Sequence, residues 1–162
     1  MRNTKEITKE EALSRLQTLC ARAEKCTSDV RKKMLQWKLD EADSNWVLSQ
    51  LIEDKYVDDA RYALAYTREK AQFSRWGENK IKLNLRAKGI DKQYIEEALT
   101  QIQPEQNQGN LHNLLQQKAK QVSAKSEYDR RNKLIRFALA RGFSLQMIVD
   151  ELDSIVGEVE PD

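Results

Sequence analysis

Residues 85–91 read Leu-Arg-Ala-Lys-Gly-Ile-Asp, and 53 positions further on residues 138–144 read Ala-Leu-Ala-Arg-Gly-Phe-Ser. In each stretch a helical run stops at a basic residue and a glycine, an apolar residue follows, and a residue able to cap a new helix comes next. Glycine suits the left-handed position that closes a helix because it has no Cβ to clash. Asp and Ser suit the next start because their side chains accept a hydrogen bond from the first turn. Ile95 and Leu99 follow the first stop, and Ile148 and Leu152 follow the second at the same offsets. Four-residue spacing puts each pair on one helix face. The same frame places Asp43, Val47 and Leu51 in an earlier copy, with Glu41 where the others have glycine, so the copies are spaced by 48 and 53 residues.

Working outward, each copy gains two helices before its stop. Thr8 caps a helix predicted over 8–26, with Glu11 placed as in a capping box and Ala12, Leu13, Leu16, Leu19, Cys20 and Ala23 as its stripe. A second helix starts at Thr27 or Ser28 and uses Val30, Met34, Leu35 and Trp37, and a third, capped by Asp43 or Ser44, carries Trp46 to Ile52. The middle copy opens at Asp58 or Asp59, runs through Tyr62 and Tyr66 towards Phe73–Gly77, continues at Ile81 and Leu85, and resumes from Asp91. Pro104 and the Gln, Asn and Gly of residues 106–110 read as a linker. The last copy then takes its helices from Leu111 to Val122, from Tyr128 to Leu139, and from Ser144 to Ile155.

The predicted fold is therefore all-α, with three tandem three-helix repeats of helix-turn-helix-like plan over residues 1–57, 58–103 and 104–162. Units of about 50 residues barely bury a core alone, so stacking into an elongated, curved molecule is expected.

Composition agrees. The 162 residues hold five Gly and two Pro, too few for a sandwich of tight turns, and 33% charged residues, above the usual quarter. No apolar run is long enough to span a bilayer, and residues 1–11 lack the apolar core of a signal peptide, so a cytoplasmic location is expected. Cys20 and Cys26 read as ordinary helix-end thiols, because no second cysteine pair exists and His112, the sole histidine, lies far along the chain. His112 reads as a helix-surface or part-buried side chain, and Asp58-Asp59 as helix-start acids opposing the dipole. No glycine-rich phosphate loop occurs, so neither a catalytic centre, a metal site nor a cofactor is expected.

The net charge of +2 conceals an uneven distribution. Residues 61–92 hold 9 basic and 3 acidic groups, and residues 116–142 hold 8 and 2, so each block carries +6; residues 143–162 carry six acids and no base. The first block interleaves its cations with Tyr62, Tyr66, Phe73 and Trp76. Two basic blocks at matching places in two repeats suit contact with phosphates or an acidic protein surface. The candidate set is Arg61, Arg68, Arg75, Trp76, Lys80, Lys82, Arg86 and Lys88, with Arg130, Arg131, Lys133, Arg136 and Arg141. The helix-turn-helix outline also admits a duplex-DNA regulator reading bases with Lys92, Gln93, Leu145 and Gln146, and a plain helical adaptor would need none of these contacts.

These residues carry a family resemblance. Tyr56-Val57-Asp58-Asp59-Ala60-Arg61-Tyr62-Ala63, then Trp76-Gly77, Lys80-Ile81-Lys82 and Leu85-Arg86-Ala87-Lys88-Gly89-Ile90, then Ile95 with Ala98-Leu99, resemble the central signature of the bacterial RecX regulatory proteins. Lys133-Leu134 and Phe137-Ala138-Leu139-Ala140-Arg141-Gly142-Phe143-Ser144 with Ile148 are similar to their closing motif. The resemblance implies three tandem three-helix repeats and a modulator, usually an inhibitor, of the RecA recombinase that lodges in the groove of the RecA filament on single-stranded DNA. It implies Asp58, Asp59 and Arg61 as structure at a repeat boundary and Trp76, Lys80, Lys82, Arg86, Lys88 and Arg141 as contacts. Cys26-Thr27-Ser28-Asp29 and Glu41 depart from the pattern in the first repeat, where a more basic helix start and a glycine stop belong. No cofactor is implied, a monomer is expected, and the acidic stretch from Asp150 to Asp162 should discourage tight binding to free DNA.

Overall fold

The computed structural model describes residues 6–157. Within them lie nine helices: α1 Lys9–Arg22, α2 Thr27–Gln36, α3 Glu41–Glu53, α4 Asp59–Gln72, α5 Glu78–Ala87, α6 Lys92–Leu99, α7 Pro104–Gln121, α8 Glu127–Ala140 and α9 Leu145–Gly157. The protein is all-α over these residues. Residues 158–162 of the acidic stretch lie outside the described residues.

Side chains start most of these helices. Thr8 Oγ1 accepts from Glu11 N at 3.1 Å, Asp58 Oδ1 from Arg61 N at 3.0 Å, Asp91 Oδ1 from Gln93 N at 2.9 Å, and Ser144 Oγ from Met147 N at 3.2 Å. Each satisfies a first-turn N–H that has no partner inside its helix. Asp59, beside the Asp58 cap, accepts the Thr27 N–H at 2.8 Å and so also ties down the start of α2.

The stop after the second helix of a repeat occurs three times rather than twice. After α5 and α8 the left-handed residues are Gly89 and Gly142, and after α2 it is Lys38, with φ of 73°, 99° and 59°. In each case the following apolar residue returns its N–H five residues back: Leu39 to Met34 O, Ile90 to Leu85 O and Phe143 to Ala138 O, at 3.0, 3.1 and 3.2 Å. This is the paired closure of the Schellman motif. The first-repeat frame is thus corrected: Lys38, not Glu41, stands in the glycine position, Asp40 caps α3 through Asp43 N at 2.7 Å, and the stops are spaced by 51 and 53 residues. A frame that seeks glycine slips here because a lysine can occupy the left-handed well at a cost of about 1–2 kcal/mol when closure bonds hold it.

Two further expectations are corrected. The first helix ends at Arg22, and Cys26, fully buried, is the N-cap of α2, with its N–H donated to Asp29 Oδ2 at 3.2 Å. Residues 104–110 are not a linker but the start of α7, with Pro104 in the first turn. Proline fits there because its missing N–H would have been unpaired in any case. Leu111, Leu114 and Leu115 supply the burial that carries the helix past Gly109.

The chain divides into two compact units: Met1–Ala65 with Leu85–Ile95, and Tyr66–Asn84 with Glu96–Asp162. In the first, α3 packs on α1 and α2 over a core of Ala12, Leu16, Val30, Met34, Val47 and Leu51. In the second, α7, α8 and α9 pack on one another around Leu111, Leu115, Leu134, Ala138, Phe143 and Ile148. The apolar stripes were too generous at their edges, since Leu35 and Tyr128 are more than 70% exposed.

Candidate functional site

Within the second unit, the start of α5 rests on the stop that ends α8. Gly77 donates its N–H to Arg141 O at 2.8 Å, and Asn79 donates to Gly142 O at 3.0 Å. The backbones meet closely because both meeting residues lack a Cβ. A Cβ on Gly77 would lie 2.7 Å from Phe143 N and run into the Gly142 carbonyl. One on Gly142 would lie 2.6 Å from Lys80 N and 2.5 Å from Lys80 Cβ. The contact therefore brings Trp76 and Lys80, from one stop-and-start, beside Arg141, from the other.

Each side of this junction holds an aromatic ring with two cations on it. Lys70 Nζ and Lys80 Nζ lie 4.8 and 4.2 Å from the centre of the Trp76 ring, and Tyr66 meets that ring edge-on at 6.5 Å. Lys118 Nζ and the Arg141 guanidinium carbon lie 4.7 and 4.9 Å from the centre of Phe137. A ring face attracts a cation through its quadrupole but does not neutralise it. Beside Phe137, Lys118, Lys133 and Arg136 border an open hollow of about 550 Å³.

The structure sorts the predicted residues by what their charge meets. Arg61 is paired with Glu24 at 2.7 Å and donates to Tyr56 O, so it braces α4. Lys88 is paired with Asp29 at 2.7 Å, Arg131 with Asp153 at 2.8 Å, and Lys133 with Asp129 at 3.3 Å. Burial pushes the Asp29 carboxyl up, but Lys88 and the Cys26 N–H outweigh it and hold the group below its ordinary value. The Lys125 N–H, and after it Lys133, do the same for Asp129. Arg68, Arg75, Lys82, Arg86, Arg130 and Arg136 form no ion pair among the described residues, and neither do the ring-held Lys80 and Arg141. Lys88 and Arg141 precede equivalent stops, yet one is spent on a carboxylate and the other sits on a ring.

Lys70 and Lys118, outside the predicted set, also sit on these rings. Lys70 lies six residues before Trp76 across a helix end, and Lys118 reaches Phe137 from a different helix, so no local spacing connects either pair. Of the base-reading candidates, Gln146 spends its amide on Asp150 within α9, at 2.8 Å. His112 is part-buried and joined to the buried Glu151. Burial raises both thiols, Cys26 and Cys20.

Residues 58–99 match the family model described as RecX, second three-helix domain, and residues 105–150 the model described as RecX, third three-helix domain. The chain belongs to the RecX family. Among curated RecX regulatory proteins, the one from Leuconostoc mesenteroides is 29% identical over 129 residues, covering 80% of this chain and 48% of that protein. One from Clostridium botulinum (strain Alaska E43) is 32% identical over 128 residues, covering 78% and 59%. The chain thus spans about two-fifths to three-fifths of the length of the curated RecX relatives it matches. The crystal structure of RecX from Lactobacillus salivarius shares the fold, with a TM-score of 0.78 at 24% identity over 90% of this chain and 95% of that one. A crystal structure titled regulatory protein RecX gives 0.82 at 26% identity, over 90% and 71%. Among the described residues no helix is long and apolar enough to cross a membrane.

Proposed function

We propose that this RecX-family chain binds the RecA filament on single-stranded DNA and lowers RecA recombinase and ATPase activity, as a regulator of recombination and repair. The observation that supports it is the uncompensated basic surface around the Gly77–Gly142 junction, which joins cations from the residues matching the second and third RecX domains. A filament repeats its surface along its length, so a chain of three-helix domains over 1–57, 58–103 and 104–162 can engage several protomers, and patches of modest affinity gain from acting together. The protein works as a monomer in the cytoplasm and needs no cofactor.

The test mixes the full chain with RecA filaments, with bare single strands and with duplex DNA, and measures co-sedimentation and RecA ATP hydrolysis. Filament-dependent binding with lowered hydrolysis is the expected result. Tight binding to one duplex sequence without RecA would replace this reading with that of a helix-turn-helix regulator. Charge reversal of Lys82, Arg136 and Arg141 to Glu should abolish filament binding; undiminished binding and inhibition would show that the basic surface is not the contact.

A further inference from the structure

We infer that the face carrying Lys70, Trp76, Lys80, Phe137, Lys118 and Arg141 takes single-stranded nucleic acid by its phosphates, its two rings serving as seats for cations and not as platforms for bases. This rests on the filament reading above and specifies what that surface contacts.

The six residues belong to one compact unit, and the backbone junction at Gly77 and Gly142 fixes the two ring clusters side by side. A base that stacked on Trp76 would have to displace two ammonium groups within 4.8 Å of the ring centre and fit beside the Tyr66 edge. On Phe137 it would have to displace an ammonium and a guanidinium, both within 4.9 Å. Both rings are half-buried, which narrows the approach further. The cations have the opposite character. None of Lys70, Lys80, Lys118 and Arg141 forms an ion pair among the described residues, so their charge is available to an incoming anion. Resting on a ring limits the motion of each long side chain without cancelling its charge, so less freedom is lost when a phosphate arrives. Surfaces that stack bases leave their rings open; this one covers them with charge. The binding it supports is indifferent to base sequence and steep in salt, as suits a strand of any sequence inside a filament.

The experiment uses the full chain and two fluorescently labelled strands of equal length and charge, an oligothymidylate and a fully abasic deoxyribose phosphate, with affinity followed by anisotropy across a salt series. The expected result is equal affinity within about twofold for the two strands. Base stacking on aromatic side chains instead favours the base-bearing strand by about 5- to 150-fold for each stacked base, and such a preference would overturn the inference. The double variant Lys70→Ala with Lys118→Ala removes one half-buried ammonium from each ring and breaks no ion pair among the described residues. It should flatten the slope of log affinity against log salt by about 1.4 on both strands, from about 0.7 for each phosphate contact on a single strand. An unchanged slope overturns the inference. If neither strand binds while the RecA filament still does, the inference fails and the face contacts protein; if filament binding is absent as well, the functional reading fails with it.

Discussion

Three glycines separate the two reasons a protein needs glycine. Gly89 has a φ of +73° and open space around it, so an alanine there meets only the cost of the left-handed backbone, about 1–2 kcal/mol. Gly77 has no positive φ, but its added Cβ would strike the Gly142 carbonyl, so Gly77→Ala meets the cost of overpacking, about 1–3 kcal/mol, without left-handed backbone strain. Gly142 has both problems, a φ of +99° and a Cβ 2.5 Å from Lys80 Cβ. Separating the backbones to relieve it also weakens the bonds from Gly77 N and Asn79 N, each worth about 0.5–1.5 kcal/mol. The entropy an alanine removes from the unfolded chain is common to all three and cancels in the differences. Gly142→Ala should therefore cost about 2–4 kcal/mol more than Gly89→Ala. With a urea dependence of about 2 kcal/mol per molar, the two midpoints, followed by far-ultraviolet circular dichroism, should lie about 1–2 M apart. The double variant of Gly77 and Gly142 should cost less than the sum of the singles, because either one already opens the same contact. If Gly142→Ala and Gly89→Ala unfold within about 0.5 kcal/mol of each other, the close backbone contact does not exist in solution.

Two other predictions concern the first unit. Because the folded Asp29 carboxyl lies below its ordinary value of 3.8, its contribution to stability is complete above about pH 5 and is lost as pH falls through the folded value. Asp29→Asn should cost about 1 kcal/mol or less at neutral pH, the Lys88 side chain being 43% exposed, and should flatten the loss of stability between about pH 5 and pH 3; an unaltered profile would exclude the pair as its source. Burial raises both thiols, and Cys26 is fully buried where Cys20 is half-exposed, so alkylation of the native protein followed by peptide mass spectrometry should modify Cys20 first and Cys26 only on unfolding. Early labelling of Cys26 would contradict its placement.

The sequence made the helical repeat legible because glycine stops and Asp, Ser or Thr starts are local chemistry. Gly89 and Gly142 led to their closures, and Thr8, Asp91 and Ser144 were recognised as caps. The first repeat was misread by three residues because the left-handed position there is held by Lys38, which carries no compositional mark of that conformation. Pro104 reads as a break in the sequence and is a helix start in the structure, the two roles differing only in which residues bury beyond it. The candidate surface is legible in the sequence only as charge: charge density and aromatics mark two basic blocks, but not which of their cations are neutralised. That division depends on partners far along the chain, Asp29 for Lys88 and Phe137 for Lys118. Gly77 appeared as turn punctuation, and its use as a contact with Gly142 depends on a meeting between repeats that neither stretch records alone.

Lys38, Lys55 and Arg75 are the described non-glycine residues with positive φ, at 59°, 61° and 55°, and all three are basic. A charge-removing substitution at such a point runs opposite to the usual confusion in mutagenesis, where lost binding and lost folding arrive together. Replacing Arg75 by glycine relieves about 1–2 kcal/mol of backbone strain against about 0.5–1 kcal/mol of added unfolded-chain freedom, so the fold is held at least as firmly while one cation disappears. The turn that carries Arg75 into Trp76 thus contains its own control: any binding lost there belongs to the charge.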